Sequence, residues 1–285
     1  MYQRYVRYVL NEPVVISGQS LLGLRAEIRL ERTQEPGWWI AMDGTDVKLS
    51  PALLGTGHRH LTLQSGAWKT RIVEHLLPLR FFGLDNVRIV FVKRKRMPYR
   101  GTGKEFVQAV KQQMRPDGML ESYTLNTSYR VQVRDGWGTL EFEPRTSGGL
   151  EFQVTIDYPN DPAIKFDTFR WTLSRDMLNR WAQAKGLGHF HPLRPFLRKL
   201  SAIGWAHADQ WVWRGDLSPW EMAYSLAEHR LWDYLGALAV ALPDGGMPIG
   251  LVNMYVASHA DDVRQIRFID QTGWHRVESR QLQMA

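Results

Sequence analysis

Apolar and polar residues alternate along Leu24–Leu30, and short strand-forming runs occur at Val14–Ile16, Gly37–Met42 and His60–Leu63. Each predicts a strand. From Thr70 to Leu79 the apolar positions are too dense for alternation and predict a helix, closed by a turn at Gly83-Leu-Asp-Asn86. Val87–Val92 is β-branched and predicts another strand, and Lys104–Met114 a second helix. Arg115-Pro-Asp-Gly118 then interrupts the pattern and sets a domain boundary near residues 118–126. Beyond it the order recurs. Strands are expected at Tyr129–Val133, Gly138–Glu143 and Gly149–Tyr158, followed by a helix at about Ser174–Ala184 with Ser174 as N-cap and Asp176 in its first turn. A long helix from Pro219 to Leu242 and a late strand at Ile249–Ala257 complete the series. Strands followed by helices, twice over, make an α+β pattern with a duplicated unit. Residues 1–120 form the expected first domain and 126–285 the second.

Composition narrows the chemistry. At roughly 100–200 residues per domain, the 285 residues suit two domains or one large one. Hydrophobic residues at 44% and charged residues at 23% allow a sizeable core. No stretch approaches the ~20 apolar residues of a membrane span. Met1–Leu10 carries cations with no following apolar segment, so no secretory signal is read and a cytoplasmic location is expected. The chain has no cysteine, which excludes disulfides, thiolate metal sites and cysteine nucleophiles. Any metal must therefore be held by nitrogen and oxygen. A net charge of +7 and a pI near 9.7 favour anionic partners. Part of that charge is the run Lys93-Arg-Lys-Arg96, which reads equally as a solvated loop or strand end. Aromatic residues are not interleaved with basic ones as in single-strand binders, so no nucleic-acid partner is expected.

Three local signals carry chemistry. In Glu228-His-Arg-Leu-Trp-Asp233, His229 and Asp233 stand four apart on a predicted helix, so both side chains occupy one face. They can converge on one ion or form a hydrogen-bonded pair at the surface. Val73-Glu-His-Leu76 places Glu74 beside His75. Adjacent helical residues diverge by about 100°, so Glu74 would flank a metal held by His75, where a general base stands. The same pair could be structural. Ser258-His259 lies at the end of the predicted strand Ile249–Ala257, a common seat for a reactive group or an ordinary loop residue.

Together, in order and spacing, these segments resemble the UDP-3-O-acyl-N-acetylglucosamine deacetylases, zinc enzymes of lipid A synthesis. The likeness runs through Thr70–Leu76, Phe82–Val87, Phe152–Tyr158 with Asp161-Pro-Ala163, Glu228–Asp233 with Gly236, and Gly250 to Ser258-His259. It implies two α+β domains packed helix layer to helix layer, with one zinc per chain between them. It implies His75, His229 and Asp233 as zinc ligands, Glu74 as general base and His259 as general acid. Departures are equally specific. Leu21-Leu-Gly-Leu24 replaces a glycine-histidine-threonine-glycine turn, and Tyr99-Arg-Gly-Thr102 a methionine-aspartate-glycine-serine stretch. Gly186 stands where the family has an oxyanion threonine, Arg230 where it has a lysine, and Ala237 where an aspartate orients the catalytic histidine. Losing that carboxylate predicts a lower pKa for His259.

The family's insert corresponds here to a short segment at about 190–218. The stretch from Phe190 to His229 carries Trp205, Trp211, Trp213 and Trp220, which could close an acyl tunnel, form a sugar-stacking platform or be ordinary core aromatics. The expected function is zinc-dependent N-deacetylation of a small, anionic N-acylated sugar or cell-envelope metabolite, with Arg230 and Gly186 facing the substrate. Two alternatives are an amide hydrolase acting on a peptidoglycan-type fragment and a non-catalytic metal-binding regulator.

Overall fold

Two sheets drawn from different halves of the chain follow one strand plan in the computed structural model. It describes residues 5–19, 25–57, 60–93, 98, 102–132, 138–187, 195–196, 199, 211–213, 215–255 and 258–277. The first sheet comprises β1 (Val14–Gln19), β2 (Arg25–Arg32), β3 (Trp38–Met42), β4 (Thr45–Lys48) and β5 (Val87–Lys93), in the order β1-β2-β5-β3-β4. The second comprises β6 (Tyr129–Gln132), β7 (Thr139–Pro144), β8 (Leu150–Ile156), β9 (Asp167–Thr172) and β10 (Gly250–Tyr255), in the order β6-β7-β10-β8-β9. In each, the last strand in sequence takes the central place, antiparallel to one neighbour and parallel to the other. The remaining pairs are antiparallel. The duplication expected from element order is thus visible in strand topology, and the fold is α+β.

Side-chain period explains which face is covered. Ala26, Ile28 and Leu30 of β2 are buried, as are Leu140 and Phe142 of β7 and Val252 and Met254 of β10. Alternate positions of those strands are more exposed, as a pleat with one covered face requires.

The helices depart from expectation in instructive ways. The helix expected over Thr70–Leu79 is α1 (Val73–Leu76) continuing as a 3-10 turn, Leu77–Phe82. Pro78 lacks the N–H that would extend the α ladder. The helix α2 (Lys104–Lys111) ends before Met114, which starts a strand, Met114–Met119, paired with Val6–Leu10. Arg115–Gly118, expected as a break, lies within that strand. Pro116 is tolerated because Val6–Leu10 is that strand's one partner in this two-stranded sheet. Glu121–Thr124 pairs in parallel with Gly246–Pro248, so the segment joining the halves is hydrogen-bonded to the second half. At α3 (Arg175–Trp181) the Ser174 hydroxyl accepts the Met177 N–H at 3.2 Å, as the N-cap reading expected.

The long helix α4 (Pro219–Ala241) matches its expected span to within a residue. A capping box fixes its start, with Ser218 and Glu221 exchanging hydrogen bonds and Pro219 in the first turn. Every residue from Leu231 to Ala241 is buried. A helix covered all round lies inside the fold. Two of its contacts with the first half fix its position. A Cβ on Gly236 would stand 2.3 Å from the Val73 carbonyl oxygen, so α4 and α1 meet backbone to backbone. The buried Arg80 donates to the carbonyl of Ala239 at 2.5 Å, near the C-terminus of α4, where free carbonyls and the helix dipole favour a cation.

The helix α5 (His259–Thr272) was not expected, and it places His259 at a helix start instead of in a loop. Its first turn is held by Asp261, whose carboxylate accepts the Ser258 N–H at 2.8 Å. Among the described residues no helix is long and apolar enough to cross a membrane.

Candidate active site

The close approach at Gly236 brings α1 against the face of α4 that carries Asp233, one turn earlier. Glu74, on α1, is buried, and its Oε1 accepts the Leu61 N–H at 2.5 Å. Asp233 is buried too, with its Oδ2 3.3 Å from His229 Nε2. From the start of α5, His259 Nε2 lies 3.6 Å from Glu74 Oε1 and 3.9 Å from Asp233 Oδ2. Glu74, Asp233 and His259 each offer one ligand atom, and those atoms all lie within 4.8 Å of one another. Four of the five residues singled out as metal-binding or catalytic therefore converge, from three helices of both halves.

Among the described residues the compact group is Glu74, Asp233 and His259, not the expected ligand set of His75, His229 and Asp233. His75 is close enough to His229 for that ring to oppose its protonation. Adjacent residues on α1 diverge by about 100°, so Glu74 and His75 approach His229 from different directions.

Burial sets the protonation states. It lowers the pKa of His75 to about 4, with His229 adding to the effect. It also lowers His229 to about 4, against an upward pull from Glu74. Both imidazoles are neutral at pH 7, the form that binds metal. Burial raises the Glu74 carboxyl to about 7, and Asp233 adds to this. Burial likewise raises Asp233 to about 6. Two buried carboxyls this close cannot both ionise freely without a cation beside them.

His259 overturns the expectation of a lowered pKa. Burial does work against its imidazolium, but Asp262 and the charges of Asp233 and Glu74 outweigh it and raise the value. The sequence reading missed Asp262, which is fully buried, with Oδ2 3.5 Å from His259 Nδ1 and Oδ1 paired with Arg230. Two signals mark the helix that carries it: the spacing Ser258-x-x-Asp261 and the apolar series Val263, Ile266, Ile269.

Of the two residues expected to face substrate, Arg230 turns to Asp262 and to the Ser258 carbonyl at 3.4 Å. Glu228, two residues before Arg230, pairs with Arg180 at 2.5 Å. Gly186 is beside the site. A Cβ there would fall 2.9 Å from His229 Nε2, so a threonine could not occupy this position without displacing the ring. Near it a cleft of about 450 Å³ is lined by Arg180, Lys185, Ser225 and Glu228 among others. Of the four tryptophans, Trp213 is buried and Trp220 is exposed, stacked on Tyr224 with centroids 5.1 Å apart. Trp205, the Trp211 side chain, Leu21–Leu24, Arg94–Arg96 and Tyr99–Gly101 lie outside the described residues.

The donor set suits zinc. Two ligands each ~2.0–2.1 Å from a tetrahedral ion stand about 3.3 Å apart, and His229 Nε2 and Asp233 Oδ2 have that separation. Neutral imidazoles with a carboxylate, and no thiolate, are a common catalytic zinc set.

The family model described as UDP-3-O-acyl N-acetylglycosamine deacetylase matches residues 7–270. No curated protein matches the chain.

Proposed function

Since the chain belongs to the UDP-3-O-acyl N-acetylglycosamine deacetylase family, we propose that it is a zinc-dependent amide hydrolase that removes the acyl group from an N-acylated sugar. The observation that carries this reading is the convergence of Glu74, Asp233 and His259 within 4.8 Å, with His229 in contact with Asp233. His229 and Asp233 would hold the zinc, with His75 completing the set. Zinc bound there supplies Lewis acidity, polarising an amide carbonyl and acidifying a water.

The chain's own groups do the proton work. Glu74 takes a proton from the attacking water; its raised pKa makes it a stronger base than an ordinary carboxylate. The Leu61 N–H fixes the carboxylate's direction. His259, 3.6 Å from Glu74, has its protonated form favoured by the surrounding carboxylates and delivers a proton to the departing amine. Gly186, lacking a side chain, lets the backbone lie against the His229 ring and leaves that imidazole undisplaced. Arg180 and Lys185 give the adjoining cleft cationic edges suited to a phosphate or carboxylate on the sugar.

The substrate is read as smaller or more polar than a long-chain 3-O-acyl precursor, because Trp213 is packed into the core at the end of a short insert. The test is turnover on UDP-3-O-acyl-N-acetylglucosamine, on other N-acetyl amino sugars and on muropeptides, with and without chelator. Chelator-sensitive release of acetate from an amino sugar is expected. No amide hydrolysis across the panel by zinc-loaded protein would overturn the proposal.

A further inference from the structure

We propose that Asp262 is the positioning carboxylate of His259, replacing a carboxylate that α4 does not supply. The inference rests on the reading of His259 as the acid. It begins with two atoms. His259 Nδ1 and Asp262 Oδ2 are both buried, lie 3.5 Å apart, and have no closer hydrogen-bond partner among the described residues. Buried polar atoms are seldom left unmatched, and these two match each other: a ring N–H and a carboxylate oxygen.

The helix start enforces the pairing. His259 and Asp262 are the first and fourth residues of α5, three apart and so on one face. The Asp261 carboxylate locks that turn by accepting both the N–H and the hydroxyl of Ser258. Asp262 is held from the other side by α4, where Arg230 grips its second oxygen. Burial alone would raise the Asp262 pKa, but Arg230 and His259 outweigh it and keep the carboxylate ionised. An ionised carboxylate that contacts Nδ1 selects the tautomer with its proton there. Nε2 then faces Glu74 and Asp233, the side where bonds change.

Among the described residues no other carboxylate competes for this role. The charged groups about His259 are Glu74 from α1, Asp233 and Arg230 from α4, and Asp262 from its own helix. The first two lie on the Nε2 side. Ala237 offers no carboxylate, and one turn along α5 the space between the helices is bridged by Tyr234, which donates to Gln265 at 2.6 Å. Asp262 acts through His259 and would not touch substrate.

The test joins a tautomer measurement to kinetics. In zinc-loaded, nitrogen-15-labelled protein the His259 signals are identified by their loss in His259→Gln. A ring protonated at Nδ1 is expected, and a neutral ring protonated at Nε2 alone would overturn the proposal without any substrate. With UDP-N-acetylglucosamine, an N-acetyl amino sugar without the 3-O-acyl chain, as the probe, Asp262→Asn should lower kcat by about 10–100-fold, with KM within about twofold and zinc content unchanged. Wild-type kcat in Asp262→Asn, alongside an inactive His259→Gln, would sink this inference alone. Wild-type kcat in His259→Gln would sink the acid assignment itself. Should Asp262→Asn fold poorly because Arg230 loses its counter-charge, the pair Arg230→Met with Asp262→Asn removes both charges and should show the same fall in kcat.

Discussion

Gly236 of α4 sits so close to Val73 of α1 that a Cβ would lie 2.3 Å from the Val73 carbonyl oxygen and 3.2 Å from the Glu74 Cα. Only a residue without a side chain permits this approach, and it is what sets Glu74 opposite Asp233. Replacing Gly236 with alanine should cost about 1–3 kcal/mol of stability through overpacking and weaken zinc binding by moving the helices apart. Thermal unfolding and zinc titration measure the two effects. Unchanged values in both would mean the helices are not in backbone contact.

Glu74→Gln keeps the shape of the side chain and removes its basicity. Turnover should fall by about 10²–10⁴-fold, with zinc content near one per chain. Equal rates in wild type and variant, measured on any substrate that wild type hydrolyses, would refute the base assignment.

Arg80 is buried at the end of α4, donating to the Ala239 carbonyl. Arg80→Met should destabilise the protein by about 1–3 kcal/mol, the cost of leaving a buried carbonyl unpaired. Chemical denaturation gives the number. A loss well under that range would show that solvent already satisfies the helix end.

The pH response should differ between metal-free and zinc-loaded protein. Lowering His75 and His229 from 6.5 to about 4 means the unfolded chain binds protons that the folded one refuses. Each histidine therefore subtracts stability as pH falls from 6.5 towards 4. Raising Glu74 to about 7 and Asp233 to about 6 has the opposite sign, adding stability as pH falls from 7 towards their unfolded values. The windows overlap, so the two effects largely cancel without metal. Zinc needs all its ligands deprotonated. The gap in Tm between loaded and chelated protein should thus be widest near pH 8 and shrink towards pH 5. A gap constant across that range would contradict the ligand assignment.

Much of this arrangement could be read from residues, for a physical reason. Periodicity reports burial, so β2, β10 and the long helix carrying His229 and Asp233 emerge within one or two residues of their ends. Periodicity fails where a short segment takes its conformation from neighbours. Met114–Met119 reads as a break because of Pro116 and Gly118, yet it pairs with Val6–Leu10. The start of α5 is masked by charge, since His259, Asp261, Asp262 and Arg264 satisfy one another inside the protein. Local spacing put Glu74 beside a metal, and the family resemblance put His259 near it. Neither could show that Asp262, three residues beyond His259, would stand behind the ring, because that depends on Arg230 from another helix.

The central strand of each sheet has a consequence for how the molecule is built. In the first sheet that strand, β5, arrives after some 90 residues, but in the second β10 comes only at Gly250–Tyr255. It must insert between β7 and β8, pairing Val252 with both Phe142 and Phe152, about 100 residues earlier. Pairings this distant are slow to form. During synthesis the first sheet can close early, while β7 and β8 wait with unpaired edges that are prone to misassociation. His259 follows β10 by only four residues, so the step that closes the second sheet also delivers the imidazole. A nascent chain would hold Glu74 long before that step, and His229 and Asp233 only 30 and 26 residues before His259.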